Sequence, residues 1–387
     1  MNKILIPKEG NSTFTMIYAK TGSRCESENI KGISHFLEHL MFKGTRTRRA
    51  KQIAYSIERY GADLNAWTDY ELTTYWIKSA NKYKKDAESI LMDMLHNSVF
   101  PPKEIDKERN VIIQEMKMYE DNPRFAARYL FYKALFEKSD GLHMPIIGTN
   151  KSLDNINRET LLDYYKTNYK NLTFVQIGDV KPQVAVDKSE QTVKLPIRRT
   201  FKKEESNNIL ITKKKGITQA NIIIGGIVYP DGLNILDKDA NVEILEGIFN
   251  DMSGRLFSKI REEYNLCYRI YFNIQPLSCG SYLWTVNMGL DAKNINIAYK
   301  LIMEELRRPI TTEELNYAKT KKIGEKALAY DSIATIATNI AYSDVLGMDY
   351  NERLFNYEKR FNNVQDINKF VKSLNFEDNI MVQVIPA

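Results

Sequence analysis

The chain has 387 residues, 43% of them hydrophobic, with 55 basic against 49 acidic side chains and a net charge of +6. That length and apolar content suit two globular domains of about 180 residues each, with no class-breaking bias in composition. No dense basic tract is interleaved with aromatics, and the longest apolar run, around Ile222 to Tyr229, is far too short to cross a bilayer, so neither nucleic-acid binding nor membrane insertion is expected.

Met1 to Pro7 breaks at a proline after three apolar residues, which gives secretion no support. Cys25, Cys267 and Cys279 form no ligand spacing and cannot all pair internally. A reduced, cytoplasmic location is the expectation.

Along the first half, strand-like and helical stretches alternate: Thr13 to Lys20, then 33–42, 50–60, 65–78, 81–97 and 103–121. The helix at 33–42 holds His35-Phe36-Leu37-Glu38-His39, two of the four histidines in the chain with a glutamate between them. At 100° per residue, His35, Glu38 and His39 fall at roughly 0°, 300° and 40°, one narrow face. Ile33, Phe36, Leu37, Leu40 and Met41 form the opposite, core-facing stripe. Two imidazoles four residues apart can grip one cation, and with a carboxylate they point to zinc with a position open for water; Glu38 would then be the base, in the H-x-x-E-H order of the inverzincins. So short a pattern also occurs by chance with its histidines merely packed, and a third ligand separates the two readings.

That ligand should be a carboxylate misplaced in a core-facing stripe, since a buried charge is costly unless paired or metal-bound. Pro101-Pro102 punctuates the start of 103–121, whose apolar side is Ile105, Ile112, Met116 and Tyr119. Glu108 and Glu115, two turns apart, sit within about 20° of each other inside that stripe.

With the interval from His39 to Glu115 and the flanks Glu108-Arg-Asn-Val-Ile-Ile-Gln-Glu115-Met-Lys-Met, the chain resembles the pitrilysin, insulin-degrading enzyme and mitochondrial processing peptidase family, in its shorter two-domain bacterial-type branch. The resemblance implies that His35, His39 and Glu115 bind zinc, that Glu38 activates water, and that Glu108 supports the site. It extends over Thr21-Gly22-Ser23-Arg24, Met41-Phe42-Lys43-Gly44-Thr45 and Gly61-Ala62-Asp63-Leu64-Asn65-Ala66-Trp67-Thr68. The last of these corresponds to the family's substrate-binding edge strand. Asn65 to Ile77 has the Thr, Tyr and Trp content of a strand, and an open edge binds any extended peptide through its backbone, which places Asn65 and Ala66 against the substrate.

The second half has no H-x-x-E-H but resembles a family domain from Thr218-Gln219-Ala220-Asn221-Ile222 through Arg255-Leu256-Phe257-Ser258-Lys259-Ile260-Arg261-Glu262 to Leu266-Cys267-Tyr268. Relatives carry an arginine and a tyrosine seven residues apart here, facing the zinc and polarising the substrate carbonyl; the matching positions are Arg261 and Tyr268. The glycine cluster usual before the Ser-Arg-Leu-Phe-like stretch is replaced by Phe249-Asn250-Asp251-Met252-Ser253-Gly254, which leaves the loop geometry open. His96, closing a helix, and His143, in a loop, read as structural.

The expected organisation is a catalytic zinc-binding domain over 1–180, a charged, proline-bearing linker over 181–208 and a second family-like domain over 209–387. The fold class is α+β: two similar domains, each a largely antiparallel sheet with helices packed on one face, together half of a clamshell. The resemblance implies a zinc endopeptidase acting on peptides or unfolded segments in a closed chamber, completed as a homodimer or as a heterodimer with a related subunit. The alternative is a non-catalytic scaffold or binding subunit of a processing-peptidase-like complex, although such relatives usually lose the motif residues kept here. Net charge favours acidic peptides, whereas Glu120 and Asp121 equally suit a basic residue.

Overall fold

Strand Ser12–Ala19 is buried at every position after its first, as is Leu172–Gly178 throughout. Burial at successive residues, which point to alternate sides, demands cover on both faces of a sheet. The computed structural model supplies it, describing residues 1–185, 209–230, 232–277 and 281–387. The expected linker therefore lies outside the described residues from 186 onward, as does Cys279.

The described strands are β1 (Asn2–Pro7), β2 (Ser12–Ala19), β3 (Asp63–Thr68), β4 (Thr73–Ala80), β5 (Leu172–Gly178), β6 (Gln183–Ala185), β7 (Ile209–Lys214), β8 (Ala220–Val228), β9 (Cys267–Pro276), β10 (Tyr282–Leu290) and β11 (Ile380–Pro386). The α-helices are α1 (Ile33–Met41), α2 (Ala50–Glu58), α3 (Lys84–Asn97), α4 (Pro102–Asp121), α5 (Pro123–Leu135), α6 (Asn150–Asp154), α7 (Arg158–Asn168), α8 (Ile235–Phe249), α9 (Ile295–Arg307), α10 (Thr312–Ala329), α11 (Ile333–Val345), α12 (Tyr350–Leu354) and α13 (Val364–Ser373). One sheet has six strands in the order β3-β4-β2-β5-β1-β6, the other five in the order β7-β11-β8-β10-β9. Each is antiparallel but for one pair, β1 with β5 and β7 with β11. The class is α+β, as expected.

Two compact units are present. The first comprises Met1–Met118, the described part of Asp140–Gln191 and Tyr330–Val345; the second comprises Tyr119–Ser139, the described part of Thr192–Ala329 and Leu346–Ala387. A single cut between residues 180 and 209 does not reproduce this division, because α5 counts with the second sheet and α11 with the first.

The parity of the strands explains why. In the first unit Thr15 and Gln176 pair across β2 and β5, and the Gln176 amide donates to Thr15 Oγ1 (2.9 Å) and to Glu88 of α3 (3.4 Å). Tyr75, opposite Ile17 on that same face, shares a 2.9 Å hydroxyl contact with Tyr169 just beyond α7. Tyr18, of opposite parity, donates instead to Asp344 of α11 at 2.7 Å. Helices thus cover both faces of the central strands, and α11 is the second cover. In the second unit Phe272 meets Phe249 of α8 on one face. On the other, Phe131 of α5 sits over Gly225, where a Cβ would come within 2.9 Å of the ring and 2.2 Å of the Trp284 carbonyl oxygen. Only glycine admits that approach.

Among the described residues no helix is long and apolar enough to cross a membrane. Cys25 and Cys267 are free thiols.

Candidate metal centre

Helix α1 is anchored at its first turn, where backbone amides lack intrahelical partners. The buried Glu26 carboxylate accepts two such bonds, from Gly32 N (2.8 Å) and Ser34 N (2.7 Å). Burial pushes Glu26 up to about 7, against the pull of those two amides. The Ser34 hydroxyl meets the Tyr164 hydroxyl of α7 at 2.7 Å. Ile33, Phe36, Leu37, Leu40 and Met41 are fully buried, so the rotation of α1 is set by its apolar stripe and the polar face turns toward α4.

On that face the structure brings His35, His39 and Glu115 together, with one ligand atom from each lying within 4.8 Å of the others. His35 Nε2 is 3.8 Å and His39 Nε2 is 3.6 Å from the same oxygen, Glu115 Oε2. Ligands held tetrahedrally at the usual zinc distances stand roughly 3.3 Å apart, so the three atoms fit such an ion with little movement. Burial, helped by the neighbouring His39, pushes His35 down to about 3, which keeps its imidazole neutral and its lone pair available. Its Nδ1 is buried without a hydrogen-bond partner among the described residues. Two imidazoles and a carboxylate form a donor set suited to a borderline cation such as zinc.

Glu108 plays a different part from Glu115. Its Oε2 lies 3.1 Å from His39 Nδ1, and its Oε1 is 2.7 Å from Lys43 Nζ. A ring protonated at Nδ1 donates to Glu108 and leaves Nε2 free to face Glu115. Lys43 compensates the buried Glu108 carboxylate, which would otherwise be a costly lone charge.

Glu38 accepts a 2.7 Å hydrogen bond from the Thr68 hydroxyl through Oε2. Burial raises its pKa; the Thr68 bond and His39 pull the other way, and Glu115 adds to the rise. Thr68 ends β3, the edge strand of the first sheet. Asn65 and Ala66 lie on that strand, paired with Trp76 and Tyr75 of β4. The Ala66 amide donates to the Asn65 side-chain oxygen at 2.8 Å.

Arg261 and Tyr268 belong to the second unit and lie beside one another. The Arg261 guanidinium is 4.7 Å from the Tyr268 ring centre and 4.5 Å from that of Phe257, and Tyr268 is 79% exposed. His96 is exposed in the last turn of α3 and His143 is buried in a short turn; neither joins the metal-ligand cluster. Lys43 and Thr68 were not singled out from the sequence. Lys43 stands just after the motif and Thr68 at the end of β3, yet their partners, Glu108 and Glu38, become visible only when α4 and β3 are placed against α1.

Residues 6–149 match the profile of the insulinase family, peptidase family M16, and residues 155–322 match that of the peptidase M16 inactive domain. A zinc protease of Rickettsia felis, itself uncharacterized, is 31% identical over 335 residues, which span 82% of this chain and 78% of the relative. The chain belongs to the M16 peptidase family. The uncharacterized zinc protease YmxG of Bacillus subtilis is 29% identical over 403 residues, covering 100% of this chain and 97% of the relative. Among solved structures, that of a protease from Helicobacter pylori superposes with a TM-score of 0.86 at 19% identity over 99% of this chain and 96% of that one. It shares the fold. The H-x-x-E-H segment falls within the 6–149 match, and Arg261 and Tyr268 fall within the inactive-domain match.

Proposed function

We propose that this M16 family member is a zinc-dependent endopeptidase that hydrolyses peptides or unfolded segments. The observation that carries the reading is the convergence of His35 Nε2, His39 Nε2 and Glu115 Oε2, with Glu38 on the same helix face. In this reading those three residues hold zinc. When bound, the ion supplies Lewis acidity to a water and to a carbonyl group.

Glu38 takes the water's proton. Its Oε2 is held by Thr68, so Oε1 is the oxygen that receives it, and the same oxygen returns it to the leaving amine. Glu108 orients His39 through Nδ1, and Lys43 holds the other Glu108 oxygen at 2.7 Å. The substrate lies along the open edge of β3 as an added strand, and the Ala66 amide, engaged by its neighbour's side chain, passes to the peptide backbone once Asn65 turns aside. The names of the relatives as zinc proteases support the chemistry. A homodimer, or pairing with a related subunit, in the cytoplasm completes the proposal, with a closed chamber limiting substrates to flexible chains.

Protein purified with zinc present is expected to carry about one equivalent of the metal. It should cleave members of a peptide library read by mass spectrometry, lose that activity to a chelator and regain it on adding zinc. Zinc below a few tenths of an equivalent with no cleavage would instead favour a binding subunit.

Arg261 and Tyr268 are proposed to donate to the carbonyl oxygen as it gains charge. Tyr268→Phe is then expected to lower kcat by roughly 10²–10³-fold, the scale of losing one oxyanion donor. KM should move far less and zinc content not at all, because the donor acts mainly in the transition state. A variant as active as the parent would remove Tyr268 from the reaction.

A further inference from the structure

A pocket of about 200 Å³ in the second unit lies between the first turns of α5 and the strands β8, β9 and β10. Arg124 of α5 and Arg269 of β9 both line it, with Tyr271, Asn221 and Asn287, and no carboxylate is among the lining residues. These side chains share one side of the sheet. Asn287 stands opposite both Ile223 and Tyr271 in the register, and Asn221 has the same parity as Ile223.

The two arginines differ from their neighbours. Arg255, Arg307, Arg308, Arg353 and Arg360 of the same unit each have a carboxylate oxygen within 3.0 Å. Among the described residues, neither the Arg124 nor the Arg269 guanidinium has an ion-pair partner. Asn221 and Asn287 each spend an amide hydrogen on a neighbour, Gln219 O and Thr285 Oγ1, and an NH2 group has a second to give. The Tyr271 side chain is 44% exposed at the rim. Two unpaired guanidiniums, arriving from separate elements at one concave site with amide and phenol donors, form a receptor for an oxyanion.

We propose that this pocket binds a carboxylate of an acidic peptide, a glutamate or aspartate side chain or the C-terminal carboxylate, and so biases the substrates of this chain toward acidic sequences. The donors are fixed to a sheet and a helix, so the site discriminates by charge while an edge strand accepts any backbone. For the source of the carboxylate the inference rests on the peptidase reading; for its chemistry it rests on the pocket alone.

The test uses the full chain carrying Glu38→Gln, so that peptides stay intact, and measures binding of two peptides differing only in glutamate against glutamine at several positions. The glutamate peptide is expected to bind about tenfold more tightly at low salt, with the gap closing as salt screens the exposed guanidiniums. Adding Arg124→Met and Arg269→Met should erase the gap while leaving the glutamine peptide's affinity unchanged, which also shows that the double variant is folded. Glutarate is titrated in parallel as a probe free of any peptide backbone. If neither peptide binds but glutarate binds the parent and not the double variant, the pocket stands and the peptidase reading fails. A glutamate preference that survives in the double variant, or no preference together with no glutarate binding, overturns the proposal.

Discussion

Glu38→Gln is expected to bring peptide hydrolysis down by at least about 10³-fold while zinc content stays at the level of the parent protein. The amide has the size of the carboxylate, and its oxygen can still accept the Thr68 hydroxyl that holds Glu38 in place at 2.7 Å. It cannot take a proton from water. Because Glu38 is not among the three converging ligand atoms, the metal has no reason to leave. Burial would also make an ionised Glu38 costly without the Thr68 bond and His39, so the neutral amide should not destabilise the fold. Hydrolysis within tenfold of the parent, measured on one peptide under single-turnover conditions, would eliminate Glu38 as the base.

Glu115→Gln should fail at the earlier step. A neutral amide oxygen is a far poorer zinc ligand than a carboxylate, so zinc affinity is expected to fall by more than about 100-fold and hydrolysis with it. Glu108→Gln and Lys43→Met are expected to cost less, about tenfold in affinity, since they loosen the His39 ring through its Nδ1 without removing a ligand. Zinc titration against a competing chelator ranks the three variants. If Glu108→Gln loses the metal and Glu115→Gln keeps it, the ligand and its support have been exchanged. Equal affinity in all three would mean that zinc does not bind where α1 and α4 meet.

Much of the centre was legible before any coordinates. The placement of His35, Glu38 and His39 on one face follows from helical geometry alone, and so does the alignment of Glu108 with Glu115 on α4. What periodicity could not separate was the ligand from its support, because both glutamates share one stripe. The distances tell the two side chains apart, in line with the proposed roles: Glu115 Oε2 faces both Nε2 atoms, whereas Glu108 meets Nδ1 of His39 and Lys43. Thr68 escaped notice for a related reason. A threonine ending a strand carries no mark of its partner, and its bond to Glu38 exists only because β3 lies beside α1.

The domain boundaries show the same division more sharply. Composition places a charged, proline-bearing break near residues 181–208, and a chain cut there would carry α5 away from the sheet it covers and leave the first sheet without α11. The burial of β2 and β5 on both faces could have warned that each sheet needs a second cover, but nothing local names the helix that provides it. The sequence by itself determined the chemistry-bearing face of α1, the paired carboxylates of α4 and the α+β class, because each of these depends on backbone periodicity within a single element. Only the tertiary structure decided which glutamate faces the histidines, which hydroxyl holds Glu38, and which distant helix closes each sheet, because those choices depend on packing between segments whose separation along the chain leaves no periodic trace.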